Sequence, residues 1–120
     1  MKTLVPVLLA FLLFNCENNT ADYQHIYGEW VCSSWIIEST GSDRCNDNVY
    51  FKFNADKTYS SKIDNHEDSG VYKLANGLLY STPKGKLKIG VEIKTLNADT
   101  LQFIMSRSGE KEVLTLAKME

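Results

Sequence analysis

The sequence predicts an all-β fold, an eight-stranded up-and-down antiparallel barrel, preceded by a lipoprotein signal peptide. Three observations point there. From Tyr27 onward, short runs alternate apolar and polar residues, with turn residues about every 8–12 positions, the pattern of sandwiches and barrels. Asn76-Gly77 between two apolar runs marks a two-residue type I′ hairpin. At the start, Lys2 precedes an apolar run from Leu4 to Phe14. Its length, roughly 11 residues, suits an export leader and falls short of the ~20 a spanning helix requires.

The leader ends unusually. Small residues of the A-x-A type are missing, and Leu13-Phe14-Asn15-Cys16 stands in their place. This resembles a lipobox, in which the cysteine receives diacylglycerol, although Asn15 departs from the usual small residue. The alternative is an unmodified cysteine after an ordinary leader. Residues 1–15 are then the signal peptide, 16–26 the lipidated Cys16 and a polar tether, and 27–120 the domain. The expected address is the cell envelope, lipid-anchored to the outer membrane on its periplasmic or surface face.

The strands follow in order. Glu29 to Glu38 places Trp30, Cys32, Ser34 and Ile36 on one face, and a polar loop runs from Ser39 to Asn48. Val49, Phe51 and Phe53 alternate with Tyr50, Lys52 and Asn54. Thr58 to Asp64 forms the third strand, and Asn65 to Ser69 a turn. Around Asn76-Gly77, Tyr72 faces Ser81, Leu74 faces Leu79 and Ala75 faces Leu78, with Tyr72, Leu74 and Leu79 inward. After Pro83-Lys84-Gly85, the run Lys86 to Lys94 sets Leu87, Ile89, Val91 and Ile93 on one face. Asn97-Ala98-Asp99 and Ser108-Gly109-Glu110 join the last strands, with Leu101, Phe103, Met105, Leu114 and Leu116 inward. No segment shows helical periodicity. Short sequential connections imply up-and-down order, and closure removes exposed edges.

Composition narrows function. Hydrophobic residues at 43% and charged residues at 23% are ordinary for a chain that builds a core. Without Lys2, 12 basic residues stand against 15 acidic ones, so the field that nucleic-acid binding needs is lacking. If Cys16 is lipidated, Cys32 and Cys45 remain in an oxidising compartment. Read as a disulfide, they close a short loop worth about 3 kcal/mol on the chain-entropy argument. Read otherwise, they are two unpaired thiols, too few for a zinc site.

Gly28-Glu29-Trp30 opens the first strand as a Gly-x-Trp. Cys45, Phe53-Asn54-Ala55-Asp56-Lys57-Thr58-Tyr59, Gly70-Val71-Tyr72 and Leu96-Asn97-Ala98-Asp99-Thr100-Leu101 follow in that order. Together they resemble the small lipocalin-like lipoproteins of Bacteroidota, over about Tyr27 to Lys118. The resemblance implies a calycin-type barrel in which Gly28 and Trp30 close one end. It also implies a basic residue against Trp30, for which Arg107 and Lys118 are candidates and Arg107 has inward parity. Lys57 replaces the usual turn glycine, which suggests a type I turn without a bulge glycine.

An eight-stranded interior is filled by side chains or holds one small ligand. The inward residues are bulky, which favours filling; a ligand would meet Phe51, Tyr59, Tyr72 and Phe103, with tyrosine hydroxyls at the mouth. His66 in Asp64-Asn65-His66-Glu67-Asp68 misses the calcium-loop pattern, since Ser69 stands where glycine is required. No nucleophile, histidine and acid arrangement or phosphate loop is present, so neither an enzyme nor a cofactor or metal is expected. Lys84, Lys86, Lys88 and Lys94 form a stripe that reads as a solvated edge or as a docking face for an acidic partner or lipid headgroups. The functional expectation is a membrane-anchored, non-enzymatic binder of a small apolar or amphipathic ligand. The alternative is a protein-interaction module, an inhibitor or immunity-type partner, using Ser39 to Asn48 and Asn65 to Ser69.

Overall fold

A computed structural model describes residues 20–119. A short helix, α1 (Thr20–Ile26), leads into eight strands. These are β1 (Gly28–Ile37), β2 (Val49–Phe53), β3 (Thr58–Ile63), β4 (His66–Ala75), β5 (Leu78–Pro83), β6 (Ile89–Leu96), β7 (Thr100–Arg107) and β8 (Glu110–Lys118). Each strand pairs antiparallel with its successor, and β8 returns to β1 to close the barrel. The β4–β5 hairpin has the register its turn dictates, with Leu74 opposite Leu79 and Tyr72 opposite Ser81. Asn76 and Gly77 both take positive φ, 54° and 77°, as a type I′ turn demands.

Period-two burial builds one interior. Trp30, Val49, Phe53, Tyr59, Tyr72, Leu74, Leu79, Leu101, Phe103, Leu114 and Leu116 are buried and mutually packed. Gly70 sits where β4 and β5 approach most tightly: a Cβ there would collide with the Thr82 carbonyl.

Four expectations need correction. Residues 16–26 were read as tether, yet Thr20–Ile26 is helical and Ile26 is fully buried, so the folded unit includes α1. About two turns of helix with a single buried residue leave too little periodicity to read. Strict alternation fails in β1, because a bulge between Cys32 and Ser34 shifts the register. Trp35 therefore turns inward opposite Leu114, and Ile36 does not. Leu87 is not inward: β6 begins only at Ile89, and Leu87 is 87% exposed in the preceding turn. The turn read as Asn65 to Ser69 is shorter, since His66 already pairs with Ile63 in the β3–β4 ladder.

Candidate functional site

The two ends of the barrel differ in what covers them. The β2–β3, β4–β5 and β6–β7 turns share one end with α1, the start of β1 and the finish of β8. The long loop 38–48 and the β3–β4, β5–β6 and β7–β8 turns form the other end, the mouth.

At the capped end, the Trp30 indole Nε1 donates to the Ile26 carbonyl over 2.9 Å. Lys118 lies 4.9 Å over the Trp30 ring, and its Nζ donates to the His25 carbonyl over 2.7 Å. Gly28, at φ 127°, passes close beneath Lys118, where a Cβ would lie 3.4 Å from its Cε. The Tyr23 hydroxyl accepts from the Leu74 amide. Lys57 holds the position that glycine usually takes and adopts its left-handed conformation, at φ 72°. Its Nζ donates to the Tyr27 hydroxyl and sits 4.0 Å over the Tyr23 ring, contacts that offset the backbone cost.

The basic residue against Trp30 is thus Lys118 and not Arg107. Arg107 has inward parity but stands opposite Glu110 beside the β7–β8 turn, at the far end from Trp30. Parity fixes a face, whereas distance from the turn fixes a depth, and only the second separates these two candidates.

The four aromatic side chains expected to meet a ligand divide. Phe51 and Phe103 meet edge to face at 6.1 Å in mid-barrel, and Phe51 is half-buried. Tyr59 and Tyr72 are not at the mouth. Both pack on Phe53 in the capped half, and the Tyr72 hydroxyl donates to the Asn54 carbonyl. Burial raises both phenol pKa values, with Asp68 adding for Tyr59 and neighbouring tyrosines for Tyr72. The reason is direction: β3 starts, and β4 ends, at the capped end.

The mouth has a cluster that alternation alone concealed. Trp35 Nε1 donates to Glu112 Oε1 over 2.6 Å, and the Arg44 guanidinium lies 3.7 Å from the same oxygen and 4.6 Å from the Trp35 ring. Glu112 is 4% exposed, whereas the Arg44 side chain is 40% exposed. A buried carboxylate needs such partners. Cys32 and Cys45 are joined by a disulfide, which fixes the loop one residue beyond Arg44. The Asp43 carboxylate accepts from the Trp35 and Cys45 amides, and these two bonds lower its pKa. Below this lip, Ile63, Val91, Ile93 and Met105 are partly buried against the core. The mouth thus carries a partly exposed guanidinium, that of Arg44, together with partly buried apolar side chains. A separate cleft of about 350 Å³ lies across β2, β3 and β4, lined by Tyr50, Lys62, Glu67, Asp68 and three serines. Cys16 lies outside the described residues.

A closed eight-stranded up-and-down barrel, opened by Gly-x-Trp and stopped at one end by a helix, is a lipocalin-type barrel. The chain belongs to the lipocalin-like domain family, whose profile matches residues 26–103. A lipocalin-like protein from Bacteroides uniformis is similar in structure, with a TM-score of 0.64 at 14% identity, covering 79% of this chain and 99% of that one. An uncharacterized protein from Bacteroides eggerthii gives 0.62 at 11% identity, covering 78% and 99%. No curated protein matches the chain.

Proposed function

We propose that this chain is a membrane-anchored lipocalin-like lipoprotein that takes up a small apolar or amphipathic ligand through the mouth of its barrel. The lipocalin-like fold is that of a ligand-binding barrel and is typically non-enzymatic. The observation that carries the reading is the asymmetry of the ends. One is sealed by α1 over Trp30, while the other carries half-buried apolar residues beneath a partly exposed Arg44. Cys16 is the anchor, and the outer membrane of the cell envelope is the address.

Native mass spectrometry of the protein extracted in mild detergent from its own envelope tests the binding. The expected spectrum carries a non-covalent lipid-sized adduct that collisional activation removes, and Met105→Trp diminishes it. A spectrum of bare protein would refute ligand uptake, and a stoichiometric protein adduct would favour the interaction module. The anchor is tested separately, since Cys16→Ser is expected to move the protein from the membrane to the soluble fraction.

A further inference from the structure

The β5–β6 turn carries a surface that the ligand site does not use. Among the described residues the exposed large apolar side chains are Val71, Leu87, Ile89 and Met119, and two of these four belong to this segment. Leu87 is 87% exposed and Ile89 55%. Lys84, Lys86 and Lys88 flank them, and no acidic residue lies between Pro83 and Ile89. Lys86 is shared with Asp68 at 2.9 Å, and Lys88 lies 5.1 Å over the half-buried Tyr80 ring. Lys94 stands apart, because Glu92 intervenes on the same outer face of β6.

An isolated leucine fully in water is unremarkable. A leucine at the tip of a turn, with lysines on both sides and a tyrosine at their base, is different. Lysine stems snorkel, so the apolar tip can enter the acyl boundary while the ammonium groups stay among headgroups. Each such lysine is drawn to an anionic surface, and tyrosine prefers the same interfacial layer. We infer that the Pro83–Ile89 turn docks the mouth of the barrel on an anionic lipid bilayer, with Leu87 inserted. The turn belongs to the mouth, so docking brings a lipid surface to the barrel opening. The helix α1 lies at the opposite end.

The barrel and its cap close within Thr20–Met119, so a chain beginning at Glu17 keeps every contact described above and lacks Cys16. Its co-sedimentation is measured with vesicles of phosphatidylcholine alone and with phosphatidylglycerol added at about three parts in ten. Binding is expected only to the mixed vesicles, and high salt is expected to weaken it. Leu87→Asp is expected to reduce partitioning about tenfold, and Lys84→Gln with Lys88→Gln about tenfold or more. Trp30 and Trp35 are buried, so Leu87→Trp adds the exposed indole, whose emission is expected to shift to the blue on mixed vesicles alone. The near-ultraviolet signal of the two buried tryptophans verifies that each variant is folded. No binding to mixed vesicles, or binding that both variants leave within about twofold, overturns the inference; recruitment of an acidic protein instead of lipid would give the first result. None of these readings depends on a ligand inside the barrel, so uptake and docking fail independently.

Discussion

The capped end and the mouth are made from the same strands, but their charges are used differently. At the cap, two cations are spent on aromatic rings and fixed oxygens: Lys118 on Trp30 and the His25 carbonyl, Lys57 on Tyr23 and Tyr27. At the mouth, Trp35 and Arg44 share one oxygen of Glu112, a disulfide ties the loop, and Leu87 and Ile89 face water. One end stores stability. The other keeps polar and apolar groups accessible, which is where mobile and binding elements are generally drawn from.

Large-to-small substitutions test this division most directly. Trp30 is fully buried and bonded to α1, so Trp30→Ala is expected to cost about 3–5 kcal/mol in urea unfolding. Leu87→Ala at the mouth is expected to stay within about 0.5 kcal/mol. Equal losses at the two positions would abolish the contrast. Next in size is the loop tie: Cys45→Ser is expected to cost about 2–4 kcal/mol. Its secondary signature sharpens the comparison, because amide exchange is expected to rise around residues 38–48 and remain slow around Trp30.

The fold was legible because burial alternates strictly along strands that carry no extra residue of their own, as β7 and β8 do not. Leu101, Phe103, Leu114 and Leu116 are inward in the register their spacing predicts. The mouth was illegible for a specific reason. The β1 bulge inverts parity after Cys32, so Trp35 reads as outward, and spacing alone supplies no partner for Glu112 on the inner face of β8. Arg44 was visible only as the neighbour of Cys45. Leu87 failed differently: it fits the alternation of β6, but Pro83-Lys84-Gly85 consumes more chain than a tight turn, and pairing starts two residues later. Depth along a strand is as invisible as a bulge, which is why Arg107 competed with Lys118.

That competition yields a smaller effect. Lys118→Met removes the cation over Trp30 and the bond to the His25 carbonyl, with an expected loss of about 1–2 kcal/mol and a shift in Trp30 fluorescence. Arg107→Met, at the opposite end, is expected to leave Trp30 emission unchanged. A Trp30 response to Arg107→Met would mean that the barrel transmits between its ends.

Acid offers the finest distinction. Asp43 lies below its ordinary value of 3.8 because the Cys45 and Trp35 amides donate to its carboxylate. A carboxyl depressed in the fold stabilises it fully above the unfolded pKa and loses that contribution as pH falls through the lower folded one. The mouth loop is therefore expected to loosen below pH 3.8, seen as movement of the Trp35 and Cys45 amide resonances. Asp56 at the capped end is depressed too, by the Thr58 hydroxyl and amide, so its turn responds in the same direction. The bond from the Trp30 indole to the Ile26 carbonyl joins two groups that do not ionise, and the indole resonance is expected to hold still. If the Trp30 indole moves together with Asp43, the two ends unfold as one unit and their independence is lost.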